Sequence, residues 1–283
     1  MIKKSKKVSF SSSDPLLTIV IPVLNGEKYI SEAISSVINE KKYVSIELIV
    51  VDGASTDNTL EILKKFNNNI DVLISEPDSG QSCAYNKAFK IAKGEYLMWL
   101  ESDDIIIKDS FKYLYPMLVE KQYFWIAFNT IILSEDGKPT KFVSGITPPN
   151  FIKRHHHFVD CPSSIFHRNV FKNIGPVDES LNYTMDVEYW YRMIKAGYSF
   201  KRCSNYVYGF RMHSKSKTGL KGYKKTHTIV DKTTQDRYLE SMYIKEKYQL
   251  VDYPLIRFLK HFLKLRLSRV KDWLNLYLDF KVN

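Results

Sequence analysis

Residues 96–104 read Tyr96-Leu-Met-Trp-Leu-Glu-Ser-Asp-Asp104, an apolar run that ends in two adjacent aspartates. Such a run predicts a buried strand, which leaves the acids at its carboxyl end. Neighbouring carboxylates held there repel each other. A divalent cation with oxygen ligands, clamped against a diphosphate, would relieve them. The plainer alternative is a pair of turn aspartates capping the next helix.

Working outward, the same kind of run recurs with helices between. Leu17–Val23 is β-branched and free of charge, a buried strand with Pro22 near its end. Asn25-Gly26 makes a turn, and Tyr29, Ile30, Ala33, Ile34, Val37 and Ile38 then follow at helical spacing. Residues 46–51 form a second strand, ending at Asp52-Gly53, after which Ser55-Thr56-Asp57 offers caps for a helix with Leu60, Leu63 and Phe66. Residues 71–75 make a third strand, 76–80 a turn, and 81–93 a helix stopped by Gly94. This alternation predicts an α/β fold: a Rossmann-like, mostly parallel sheet flanked by helices. Ligands sit beyond the carboxyl ends of such strands. Residues 22–25, 52–55, 76–80 and 102–104 all fall at those ends, so four polar loops converge on one crevice.

Past Asp109, Phe111, Leu114 and Leu118 mark a helix. An aromatic, β-rich stretch at 123–133 turns at Glu135-Asp136-Gly137 into a partner strand. Residues 146–160 read as a loop containing His155, His156 and His157. Consecutive loop residues do not readily face one ion, so these belong to an acceptor pocket or the surface, not to a zinc site. Residues 186–195 read as a helix stopped by Gly197, and 198–211 as one or two strands.

An apolar content of 44% with 14% aromatics supplies a substantial core and excludes a disordered chain. Cys83, Cys161 and Cys203 lie far apart, without zinc or disulfide spacing, as in a reducing compartment. No signal-like apolar core follows the basic start and no apolar stretch reaches bilayer length, which predicts a cytoplasmic protein. The net charge of +11 is unevenly placed: residues 201–283 hold 19 Lys and Arg against 7 Asp and Glu. Wound as a helix, residues 255–280 put Phe258, Leu259, Phe262 and Trp273 on one face and Arg257, Lys260, Lys264 and Lys271 on the other. A basic amphipathic helix of this kind fits the surface of an anionic membrane, here its inner face. The alternative is a helix packed on the catalytic domain or on a second subunit. Nucleic acid is not expected, since no recognition module accompanies the charge.

In order, Thr18-Ile-Val-Ile-Pro-Val-Leu-Asn25, Val50-Val-Asp-Gly-Ala-Ser-Thr-Asp57, Gly80-Gln-Ser-Cys-Ala-Tyr-Asn-Lys87 and Trp99-Leu-Glu-Ser-Asp-Asp104 resemble the family 2 glycosyltransferases. That resemblance implies the glycosyltransferase-A fold. It also implies inverting, Mg2+- or Mn2+-assisted transfer of a sugar from a nucleotide-sugar donor, first of all a UDP-sugar. The acceptor would be a hydroxyl of a cell-surface or lipid-linked glycan. Carried over by position, Asp104 becomes the metal ligand and Asp103 the contact to ribose or donor sugar, with His213 near the metal or diphosphate. Pro22, Leu24, Asn25, Asp52, Gly53 and Ser55 fall on the base pocket, and Gln81 and Asn86 on polar donor-side positions. Gly53 stands where many members carry a second acid, and Cys83 where the subgroup has Asp. The segment from Thr184 to Arg192 resembles the acceptor-side helix. Asp186 falls there on the catalytic base, and Glu188 is its rival.

The expected organisation is a basic tail at 1–15 and a catalytic domain at 16–220. The domain divides into a nucleotide-sugar half at 16–108 and an acceptor half at 109–220, and a basic helical extension follows at 221–283. Whether the chain forms a homo-oligomer is open. The rivals are a non-catalytic glycan- or partner-binding relative and a sugar-phosphate nucleotidyltransferase. The second expects a Gly-rich loop with Arg and Lys where Pro22-Val-Leu-Asn-Gly26 stands.

Overall fold

A computed structural model describes residues 14–143, 163–217 and 232–249. Among these, nine strands form one sheet: β1 (Leu17–Val23), β2 (Ile46–Asp52), β3 (Val72–Ser75), β4 (Tyr96–Trp99), β5 (Ile105–Ile106), β6 (Trp125–Leu133), β7 (Pro139–Val143), β8 (Ser164–His167) and β9 (Lys201–Arg211). The helices are α1 (Ile30–Glu40), α2 (Thr59–Lys65), α3 (Gln81–Ile91), α4 (Phe111–Val119), α5 (Arg168–Ile174), α6 (Met185–Lys195) and α7 (Lys232–Lys247).

The strand order is β3-β2-β1-β4-β8-β6-β9-β5, with β7 paired to β6. β1 to β4 run parallel, as their crossover helices require. Beyond β4 the sheet is mixed: β8 is antiparallel to both β4 and β6, while β9 is parallel to β6. The chain leaves β1 toward β2 and returns on the other side as β4, so the order reverses between β1 and β4. A crevice opens at such a switch point, beyond the carboxyl ends.

Every residue of β1, β2 and β4 is buried because the sheet is covered on both faces. Ile19, Ile21 and Val23 join Ile30, Ala33, Ile34 and Val37 of α1 on one side. Val20 and Trp99 join Ala84, Tyr85 and Phe89 of α3 on the other, where Trp125, Phe166 and Trp190 close the layer. Each such side chain contributes about 1.5–3 kcal/mol of burial. α3 ends at Ile91, and Gly94 just beyond it is required by close packing: a Cβ there would collide with the Thr18 backbone nitrogen.

Within the expected extension, α7 is helical and seated on the catalytic domain through Ile244, Lys247 and Tyr248. Residues 255–280, the expected membrane face, and the histidines at 155–157 lie outside the described residues. Among the described residues no helix is long and apolar enough to cross a membrane.

Candidate active site

A cavity of about 440 Å³ lies at the switch point. Its walls come from the ends of β1 (Pro22, Val23, Leu24) and β4 (Glu101, Ser102, Asp103), from the turn before α3 (Asp78, Gly80, Gln81) and from the start of α6 (Asn182, Tyr183, Met185, Asp186). Lys215, Ser216 and Lys217 close it from beyond β9. Four carboxylates and two ammonium groups therefore face one space of the size that holds a nucleotide-scale ligand.

The two aspartates expected to share a task are separated by the fold. Asp104 is 1% exposed, and neither of its oxygens turns to the cavity. One accepts the Tyr208 hydroxyl at 2.6 Å and the other the Arg211 backbone N–H at 2.7 Å. Burial, and then the charge of Asp103, push its carboxyl well above the usual range. Asp104, expected on a metal at the ligand, stands behind the cavity lining, where its two oxygens tie the acidic loop to β9. Asp103 is the one that faces the cavity, and its Oδ2 lies 2.8 Å from His213 Nε2. The Lys215 N–H approaches His213 Nδ1 at 3.3 Å, which turns Nε2 toward Asp103. Arg211, 2% exposed, holds the loop from behind. It donates to the Asp103 carbonyl at 2.8 Å and to Glu32 at 2.6 Å, and stacks on Tyr29.

Glu101 was not singled out in the sequence, although it precedes the aspartates by two positions. Its carboxylate accepts from Gln81 Nε2 and, at 2.8 Å, from the Tyr85 hydroxyl. Burial and the nearby charge of Asp103 raise it to about 7. Lys217 donates to Gln81 Oε1 at 2.9 Å and so spans the cavity rim.

The expected base pocket divides into walls and braces. Pro22 and Leu24 line the cavity, and Leu24 is 63% exposed to it and to solvent. Asn25, held at a φ of 52°, accepts the Thr56 N–H and donates its own N–H to Ser55 Oγ at 2.8 Å, so the two loops brace each other. Asp52 is fully buried and does not line the cavity; it accepts the Ser75 hydroxyl at 2.8 Å and the Ser55 N–H at 3.2 Å. Beside Gly53 the space a Cβ would enter abuts the Asp78 carboxylate at 3.3 Å. A carboxylate from the next loop thus stands beside the position where many members carry a second acid. Asn86 also differs from expectation. It is buried, donates to the Val177 carbonyl at 2.9 Å and accepts the Val177 N–H at 2.8 Å, clasping the approach to α6 away from the cavity.

On α6, Asp186 lines the cavity and Glu188 does not. Glu188 is fully buried and engaged by Arg192, Lys247 and Tyr248, each at 2.8 Å. Glu101, Asp103 and Asp186 therefore face the cavity together with Asp78, Lys215 and Lys217, and His213 reaches it through its contact with Asp103.

Among the described residues, no cluster of three or more His, Cys, Asp or Glu forms a complete metal cage. One carboxylate and one imidazole, Asp103 and His213, fit a cation that takes its remaining ligands from diphosphate and water, as Mg2+ and Mn2+ do at nucleotide sites.

The putative teichuronic acid biosynthesis glycosyltransferase TuaG of Bacillus subtilis is 25% identical over 83% of this chain and 94% of its own length. Chondroitin synthase of Pasteurella multocida is 26% identical over 84% of this chain but only 25% of its own. S. aureus TarS 1-349 in complex with UDP-GlcNAc superposes with a TM-score of 0.58 at 21% identity, over 71% of this chain and 59% of that one. A mannosyltransferase from Pyrobaculum calidifontis in complex with GDP-Man and Mn2+ gives 0.54 at 16% identity, over 76% and 62%. These likenesses place the fold among the glycosyltransferase-A folds. Residues 18–175 match the family model described as Glycosyl transferase family 2, and the chain belongs to that family.

Proposed function

We propose that this chain is a metal-assisted, inverting glycosyltransferase that moves a sugar from a nucleotide-sugar donor to a hydroxyl of a cell-surface or lipid-linked glycan. The observation that carries the reading is one cavity at the switch point with Asp103 on the donor side and Asp186 on the helix opposite. UDP-GlcNAc bound to TarS, GDP-Man bound to the Pyrobaculum enzyme, and the teichuronic acid assignment of TuaG support the substrate classes.

The nucleoside sits between Pro22 and Leu24 and the Gly53–Asp78 corner, and the UDP and UDP-GlcNAc complexes of TarS make a UDP-sugar the first candidate donor. Its diphosphate lies toward Asp103. Asp103 and His213 would hold the divalent cation, which when bound neutralises the charge gained by the departing diphosphate. Lys215 and Lys217 add positive charge at the rim. Asp186 accepts the proton of the acceptor hydroxyl as its oxygen attacks the anomeric carbon from the face opposite the leaving group. Glu101 carries Gln81 and Tyr85 into position at the floor. The basic segment at 255–280 brings the enzyme to an anionic lipid surface where a lipid-linked acceptor would be found.

A panel of UDP-, GDP- and dTDP-sugars with and without Mn2+ tests the reading through release of free nucleotide. Metal-dependent release from a UDP-sugar is the expected result. An outcome with neither donor consumption nor nucleotide affinity would favour the non-catalytic glycan- or partner-binding relative.

A further inference from the structure

Glu240 lies on α7, outside the family match and more than fifty residues beyond Asp186 in the chain. Its carboxylate nonetheless reaches the start of that helix. One oxygen accepts the Asn182 N–H at 2.8 Å. The other accepts the Tyr183 and Thr184 N–H groups and the Thr184 hydroxyl, each at 2.9 Å. Three consecutive backbone donors converging on one carboxylate form a nest for an anion, here supplied from a distant helix. Thr184, the residue at the α6 N-cap, makes no side-chain cap of its own. The negative charge also lies at the positive end of the α6 dipole.

The residues so held are cavity walls. Asn182 and Tyr183 line the space, as do Met185 and Asp186 directly after the capped turn. One turn further along α6, Glu188 receives Lys247 and Tyr248 from the same helix α7, and Tyr191 stacks on Tyr248 at 5.2 Å. Ile244 is buried between the two grips. Helix α7 and the residue after it thus hold α6 at its N-cap and again one turn further on.

We infer that Glu240 is a positioning residue for the transfer reaction: it caps α6 in place of a local side chain and so fixes the approach of Asp186 to the acceptor hydroxyl. This rests on the glycosyltransferase reading above. Its energetic logic is that of orientation, in which displacement of a catalytic group by about 1 Å costs on the order of a hundredfold in rate. Donor binding is made by the loops after β1, β2 and β4 and does not pass through Glu240. Loss of the cap should therefore appear in turnover and leave nucleotide affinity alone.

The test uses the full chain and the donor that the wild type consumes, with turnover, donor KM, UDP affinity in the presence of Mn2+, and hydrogen–deuterium exchange all measured. Glu240→Ala is expected to lower turnover about a hundredfold. Glu240→Gln, whose amide oxygen can keep the Tyr183 and Thr184 donors while losing Asn182, is expected to lower it about tenfold. In both, donor KM and UDP affinity stay within about twofold. Exchange rises at the amides of 182–188 while that of 96–104 is unchanged. If Glu240→Ala does not fold, Glu240→Gln decides. Wild-type turnover in Glu240→Gln, or a parallel fall of turnover, UDP affinity and melting temperature, overturns the inference. A wild type that consumes no donor would count against the enzymatic reading; unchanged exchange at 182–188 would count against the cap itself.

Discussion

The first four strands and the elements after them are held together by different means. From β1 to β4 the strands run parallel, and apolar contacts above and below them do the fixing. After β4 the decisive contacts are polar and join distant positions. Asp104 binds Arg211, Asn86 clasps Val177, and Glu240 caps the helix at 184. The catalytic geometry depends on this second kind of contact. A scaffold can be specified by hydrophobic pattern alone, whereas the orientation of one carboxylate requires buried donors from elsewhere in the chain.

The sharpest test of that division is Asp186→Asn. It removes the base on the second side of the cavity and should lower turnover about a thousandfold while UDP affinity with Mn2+ holds within about twofold. A comparable loss of UDP affinity would show that the two sides of the cavity do not act separately. A smaller effect is expected at the seam where β8 meets β4. There His167 Nδ1 accepts the Asn169 N–H at 3.1 Å and caps α5 as a neutral imidazole. Burial holds its pKa below the ordinary 6.5 against the opposing pull of Glu95. The folded protein therefore binds this proton less readily than the unfolded chain. The contribution is complete above the ordinary value and is lost as pH falls through the lowered one. Between about pH 7 and 5 it should amount to less than about 1 kcal/mol. Melting curves against pH should fall more steeply for the wild type than for His167→Asn, which keeps a cap that does not titrate. Equal slopes would remove the assignment.

What could be read from the residues follows the same division. The strands at 17–23, 46–52 and 96–99 were legible because residues buried on both faces leave largely uninterrupted apolar runs, and α1 and α6 because their apolar spacing is helical. The hairpin of β6 and β7 was marked by its turn residues. β8 and α5 were not found: a four-residue strand leading directly into a seven-residue helix carries too little periodicity. The site shows the same limit. That acids meet at the end of β4 was plain, but which one enters the cavity depends on Tyr208 and Arg211, whose approach no local pattern announces. Asn86 and Asp52 look like ligand contacts for the same reason, since their partners at Val177 and Ser75 become visible only in the folded chain. Glu101 was hidden by its louder neighbours, although its place in the same loop was signal enough.

Titration of UDP into Asp103→Asn and Asp104→Asn, with and without Mn2+, tests most directly which acid serves the ligand and which serves the fold. Asp103→Asn should lose the Mn2+-dependent part of UDP affinity, about a hundredfold or about 2.7 kcal/mol, and keep the wild-type melting temperature. Asp104→Asn should keep that affinity within about fivefold and melt earlier, having weakened a buried anchor worth about 1–3 kcal/mol. The reverse pattern, with metal-dependent binding lost on changing Asp104 and intact on changing Asp103, would contradict the account.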